Sequence, residues 1–495
     1  MSDSDLPVLS LVIWSPILFG VLILLTARKS TVAITRTLAL TGSFISFFIS
    51  LGLLLFFDSK KAQMQFSESA VWIERFNVHY ALGVDGISLW FIILCTFILC
   101  VVVVMAKPAE KGYFPEYLGA FMLLCGLAIG AFCATDGLLF YVFFEAALIP
   151  MFIIIGIWGS ERRIFAAFKF FLYSLSGSLF MLVAIVWLYF QSDSFAIASW
   201  QHLPIPFREQ IFLFVAFLFA FGIKLPMWPF HSWLPDAHVE APTEGSVVLA
   251  ALMLKLGGYG FIRFLLPVVP DAARYLSVYM IVLSLVAIVF IGFVAIAQKD
   301  MKRLVAYSSV VHMGFVTMGF FLFQHMTITG ALVQMLSHGF LSAALFLCIG
   351  MLYERTHSLQ MTDFGGVAKT MPRFATLFVL FALGNCALPG TSGFVGEFMI
   401  IVGMIKSHFF LGVLAAAALV LTAAYSLWMV RSVVFGPVQN EAVAGLKDID
   451  VRELCVLGIF AFFVLAVGLY PAWLLEPMQL SVTELLELIN RSKIP

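Results

Sequence analysis

Charge is what this 495-residue chain has least of. Only 11% of its residues are Asp, Glu, Lys or Arg, 28 of each sign, where a soluble domain carries about a quarter. That deficit excludes a soluble multidomain enzyme and a disordered chain. The zero net charge removes the electrostatic footprint of a nucleic-acid partner. Metal and nucleotide signatures are missing too. The seven cysteines include no C-x-x-C pair and lie mostly inside apolar runs, so they read as small buried hydrophobes rather than a disulfide, zinc or iron–sulfur framework. The nine histidines form neither H-x-x-x-H nor H-E-x-x-H, and there is no G-x-G-x-x-G or Walker loop. The expectation is a chain without cofactor or metal. The first apolar run, from Val8 to Leu25, has no basic segment before it and no A-x-A site after it, and so reads as a retained helix rather than a signal peptide.

What is present is oil: 62% of residues are hydrophobic and 53 are Phe. At about 20 residues per crossing, this is material for a dozen or more spans. Apolar runs predict an all-α polytopic membrane protein of about 14 transmembrane helices, at 8–26, 32–57, 85–106, 115–134, 137–158, 165–190, 211–230, 245–266, 275–297, 303–324, 327–353, 374–404, 408–435 and 452–475. In the tail, 476–495, Leu480, Val482, Leu485, Leu486 and Ile489 interleave with Glu484 and Glu487, the pattern of a short amphipathic interfacial helix. Seventeen Lys and Arg fall on one set of loops, Arg28, Lys29, Lys111, Lys299, Lys302 and Arg303 among them, and nine on the other, Arg263 included. By the positive-inside rule the richer face is cytoplasmic and both termini are periplasmic.

Two basic residues remain inside spans, Lys224 and Lys255, with two acids, Glu145 and Glu397. A charge at mid-bilayer costs a few kcal/mol and marks function by default. His312 and His338 lie at similar depth in their spans. A packing role for the histidines, a static Glu–Lys pair, or a snorkelling Lys255 are the plain alternatives; matched depth argues against snorkelling and against a mere membrane spacer. One Glu–Lys contact at 4 Å is worth about 4 kcal/mol at an effective dielectric near 20. Moving a proton against about 180 mV costs about the same. Making and breaking a Glu145–Lys224 pair is therefore energetically matched to proton movement. Helix breakers adjoin these charges in FAFGIKLP and FALGNCALPG, and matched breaks in two halves point to a repeat transporter. Asp136 reads as a helix cap. His231, Asp236, His238, Glu240 and Glu244 crowd the loop after Lys224 at no standard metal spacing, and read as a solvated or subunit-contacting loop. Lys299, Lys302 and Arg303 read as positive-inside anchors.

The stretches LGVDGISLWFI (82–92), FYVFFEAALIPM, KLPMWPFHSWLPDAHVEAPTEGSVVLAALMLKLGGYG (224–260), QKDMKRLVAYSSVVHMG (298–314) and SHGFLSAALF (337–346) closely resemble the antiporter-like subunits of respiratory complex I. The acidic Glu397 resembles the M branch, equivalent to mitochondrial subunit 4; the sister L and N branches usually carry lysine there. The resemblance implies two inverted five-helix repeats, each with a broken helix, and the divisions 1–110, 111–270, 271–436 and 437–495. It implies proton translocation driven by NADH oxidation and quinone reduction elsewhere, with NADH, FMN, iron–sulfur clusters and quinone in partner subunits, and L and N as neighbours in a bacterial inner membrane. It assigns Glu145 as partner of Lys224, Lys255 as connecting lysine, His312 and His338 to a central polar axis, and Glu397 to proton exit. A subunit of a multi-subunit cation/proton antiporter or of a membrane-bound hydrogenase shares most of these residues and is the alternative.

Overall fold

Pattern and structure agree first in the helices. The computed structural model describes residues 6–27, 31–108, 112–438 and 440–495. Arg28, Lys29 and Lys111, three of the basic residues counted for orientation, lie outside the described residues. Among the described residues, eleven helices are long and apolar enough to cross a membrane. The other three expected segments are also helical. Two are Phe207–Lys224 and Met301–Phe320; the third is split into Pro372–Asn385 and Ser392–Ser407.

One element departs from the all-α expectation. Strands Gln65–Ile73 and Val78–Val84 pair antiparallel, turning at Asn77 in the left-handed region (φ +52°). This hairpin has a packing role. Pro7 offers no side-chain acceptor to the first helix, Val8–Thr26. The Glu68 carboxylate takes that place, accepting the N–H of Leu9 at 2.7 Å and of Ser10 at 3.2 Å, where a negative charge also suits the helix dipole.

The chain packs as two compact units. The first comprises Met1–Leu225, Leu252–Ser277 and Glu476–Pro495; the second comprises Pro226–Ala251 and Val278–Leu475. In the first, Ser88–Met105 and Phe114–Cys133 are largely enclosed, while Val32–Phe56 and Arg163–Ser192 turn Phe48, Phe168 and Leu172 outward, as lipid-facing helices do. In the second, Met301–Phe320 and His325–Thr356 form the buried centre.

Interruptions in the helices coincide with the charged residues, each for a local reason. Pro150 lacks an N–H and clashes with the carbonyl four residues back, and the fifth span divides at Ala147, two residues after Glu145, into Gly137–Ala146 and Leu148–Trp158. Phe207–Lys224 stops at Lys224, immediately before Leu225 and Pro226. Asn385 ends its helix before Ala387 (φ +56°), Pro389 and Gly390 (φ +91°), and Ser392 begins the next. Asp136 caps Gly137–Ala146, accepting from Leu138 N at 2.9 Å and Leu139 N at 3.0 Å, as expected.

Candidate proton-transfer sites

In the first unit the candidate residues are Glu145, Lys224 and Lys255. Lys224 is 1% exposed. Its Nζ lies 4.8 Å from the Phe144 ring centroid and 5.8 Å from that of Phe170, a cation–π setting. Glu145, one residue along from Phe144, is faced by Ser178 and lies within the electrostatic reach of Lys224. The two are not in ion-pair contact. Lys224 Nζ and Glu145 Oε2 are both buried without a hydrogen-bond partner among the described residues. The pair is thus present but open.

Lys255 is fully buried. Its short α-helical stretch, Leu254–Gly260, is bounded by two π-helical turns, Leu249–Met253 and Phe261–Leu265; such wide turns gather at functional positions. Gly257 sets the depth of this helix against Phe207–Lys224. A Cβ there would lie 2.7 Å from Leu225 N and 2.9 Å from Phe221 O, so only glycine permits the approach.

The second unit brings its three candidates together. His312 Nδ1 lies 2.6 Å from Glu397 Oε1, and His312 Nε2 lies 3.1 Å from Asn385 Oδ1. Gln334 Nε2 donates to the same Glu397 oxygen at 2.8 Å, and Asn385 Nδ2 donates to Ser426 Oγ at 3.1 Å. The His338 ring stands 5.7 Å from that of His312. His312, His338 and Glu397 are all under 5% exposed. Both imidazole nitrogens face acceptor oxygens. With Asn385 Oδ1 turned to Nε2, a proton on Nε2 and a second between Nδ1 and Oε1 satisfy both contacts. The same two protons serve an imidazolium–carboxylate pair or a neutral imidazole–carboxylic acid pair, so the proton can sit on either atom without a change in partners.

Several residues went unnoticed in the sequence. Gln334 precedes His338 by four residues and so shares its helix face; Asn385 is the last residue before a break. Neither is charged, and a search for charge passes over both. Other expectations need correction. Lys302 is no simple interfacial anchor: its Nζ donates to Ala241 O at 2.5 Å and Val239 O at 3.3 Å. Arg303 lies 3.6 Å from Asp236. The loop they hold is not solvated throughout, because His238 is buried with its ring stacked 4.5 Å from Phe346 and Glu244 is buried as well. Arg263, counted as a loop charge, is half-buried in an ion pair with Asp85. Among the described residues no three His, Cys, Asp or Glu side chains gather in a way that would hold a metal ion.

The sequence model of the family described as NADH:quinone oxidoreductase/Mrp antiporter, transmembrane, matches residues 134–422. NADH-quinone oxidoreductase subunit M of Rhodobacter capsulatus is 44% identical, with 97% of this chain and 96% of that one covered. This chain belongs to the subunit M family of NADH:quinone oxidoreductase. NADH-ubiquinone oxidoreductase chain 4 of Arabidopsis thaliana is likewise 44% identical, over 97% of each chain. A chain of respiratory complex I from Thermus thermophilus, solved with bound NADH, superposes with a TM-score of 0.87 at 31% identity, covering 97% of this chain and 99% of that one. Agreement over nearly the whole length of subunit M relatives favours complex I over the antiporter and hydrogenase alternative.

Proposed function

We propose that this subunit M chain carries protons across the membrane as part of NADH:quinone oxidoreductase, and that it does so through two stations: Glu145, Lys224 and Lys255 in one, His312, His338 and Glu397 in the other. The chain performs no redox chemistry. NADH, FMN, iron–sulfur clusters and quinone are assigned to partner subunits, and the neighbours in the membrane are the sister subunits L and N. The setting is a bacterial inner membrane, and the excess of basic loop residues on one face supports both termini being periplasmic.

The observation that carries the reading is the buried Glu397–His312–Asn385 chain of close polar contacts. Apolar burial supplies what a pump needs around it, since water outside the route would short-circuit the gradient. In the first station, closing the open Glu145–Lys224 pair favours the ammonium, and opening it favours release. A charge change in a neighbouring subunit drives that closure. The proposed order of transfer is Lys224, Lys255, His338 and Glu397, with His312 handing the proton to Glu397.

The test is NADH-driven acidification in membrane vesicles containing the assembled complex. Lys224→Ala or Glu145→Ala should abolish or sharply reduce protons pumped per NADH. Undiminished pumping at normal NADH–quinone turnover would remove both residues from the mechanism.

A further inference from the structure

In the first unit, the start of the Lys224 helix and the end of the Lys255 helix are joined by the last residues of the chain. Ile205, two residues before Phe207–Lys224, donates its N–H to Lys493 O at 3.0 Å. Val268 closes the helical run that bears Lys255, and its carbonyl accepts from Lys493 Nζ at 3.0 Å. Trp200 O accepts from the same Nζ at 2.9 Å, and Lys493 N donates to Asp271 Oδ2 at 2.9 Å. One residue thus ties both helices with its carbonyl, its amide and its amine. Earlier in the tail, Arg274 donates to Ile489 O, and the Gly86 N–H donates to Ser481 Oγ at 3.1 Å.

The seat fits an uncharged amine. Lys493 is 6% exposed. An amine has two N–H groups and an ammonium three. The seat offers two carbonyls, and among the described residues no third acceptor meets Nζ. Charging a buried, incompletely bonded group is costly. Burial accordingly pushes the Lys493 amine down to about 7, against attraction from Asp271. The other charged or titratable groups on the packed elements are His202, Arg208, Glu209, Arg263 and Arg274, with Arg491 beside it on the tail. Asp271 is itself held by Arg274 at 2.6 Å and by Gln210 Nε2 at 2.9 Å. Gln210 Nε2 also donates to Ile205 O at 2.9 Å, a neutral brace that no pH change releases.

We propose that Lys493 is a positioning residue for the first station, a staple that acid on the tail's side of the membrane unlocks. The amine takes one proton from water, becomes the ammonium and leaves its seat for solvent. The Gln210 brace remains, but the two helix ends lose the bonds that Lys493 supplied at Trp200, Ile205 and Val268. Lys224 and Lys255 are then held less closely in relation to one another, and protons moved per NADH fall. A released lysine returns to its ordinary range near 10.4. Between pH 7 and that value the released tail binds more protons than the seated one. Each unit of acidification in that window favours release by up to about tenfold, and below pH 7 both forms are protonated and the effect ends. With the tail on the side that receives protons, the staple is a brake on pumping into a phase already acidified.

The inference rests on Lys224 and Lys255 moving protons, so Lys255→Ala is measured alongside. Vesicles containing the assembled complex are buffered on the tail's side from about pH 6.5 to 8.5, with the other side held constant. Protons pumped per NADH should rise with pH above 7 in the unmodified complex. Lys493→Gln, uncharged throughout and still carrying two N–H groups, should remove the slope at a high ratio. Lys493→Arg, charged throughout, should remove it at a low ratio. Hydrogen exchange of residues 200–206 and 265–274 in the unmodified complex, corrected for intrinsic rates, needs no variant; protection should rise by up to about tenfold per pH unit. A flat pumping ratio in the unmodified complex, protection that ignores pH, or a Lys493→Gln complex with the original slope overturns the staple. If Lys255→Ala pumps normally, the station fails and the staple has nothing to position. If Lys255→Ala loses pumping while the unmodified ratio ignores pH on the tail's side, the staple alone fails.

Discussion

The two proposed stations hold their acids and bases by different means. In the first, the acid and base are kept apart. Lys224 rests against the Phe144 ring, and Glu145 turns toward Ser178. In the second, acid and base touch at 2.6 Å, and Gln334 and Asn385 fix both partners. An open pair in an apolar setting responds to distance, because the Coulomb energy is screened less than in water. A closed, fully bonded pair responds weakly to distance, but the proton within it can change seats without any side chain moving. The first arrangement suits a switch and the second a reservoir.

Removing a base is the most direct way to break that comparison. His312→Ala leaves the Glu397 carboxylate buried with Gln334 alone, so assembly and thermal stability should fall by about 3–5 kcal/mol along with pumping; the assembled fraction on native gels and its thermal midpoint report this. Lys224→Met removes an ammonium that already lacks a hydrogen-bond partner and substitutes apolar volume beside Phe144 and Phe170. It should cost far less stability, within about 1.5 kcal/mol, while abolishing pumping. Equal losses of stability in the two variants would erase the distinction between switch and reservoir.

Smaller changes sharpen it. Gly257→Ala forces a methyl group against Leu225 N and Phe221 O, and about 1–3 kcal/mol of overpacking should shift the depth of Lys255; pumping should fall more than NADH–quinone turnover. Glu397→Lys should retain part of the pumping that Glu397→Ala loses, since lysine keeps an ionisable group in the same seat. A further effect is on the tail. Lys493 donates to Trp200 O at 2.9 Å and Val268 O at 3.0 Å, and burial lowers its pKa to about 7, against a raising influence from Asp271. Between pH 7 and the ordinary lysine range near 10.4 the undocked tail binds more protons than the docked one. Docking therefore strengthens as pH rises through that window, by at most about 1.4 kcal/mol per unit, and is weakest below pH 7. Hydrogen exchange of residues 479–490 across pH 6–9 should show this slope, and Lys493→Met should flatten it.

The helices were legible because a long apolar run has one stable form in lipid, and the breaks because Gly and Pro declare themselves. The charged members of both stations were legible for the same reason: Glu145, Lys224, Lys255 and Glu397 are costly where they stand. The neutral members were not. Gln334 and Asn385 cost little in sequence terms and acquire meaning only from partners 63 and 73 residues away. The hairpin was hidden by its context, since Val78–Val84 runs directly into the apolar helix Ser88–Met105 and its alternation is short. Arg263 was misplaced because position along a span does not reveal a partner such as Asp85, which enters from a different part of the chain.

The discontinuity of the first unit bears on how the protein is made. Met1–Leu225 and Leu252–Ser277 leave the ribosome well before Glu476–Pro495, yet Arg274 donates to Ile489 O, and Lys493 occupies Trp200 O and Val268 O. Through the insertion of all intervening spans, these groups and the Gly86 N–H await their tail partners. The unit that enters the bilayer first is therefore completed only when Glu476–Pro495 has been made and seated.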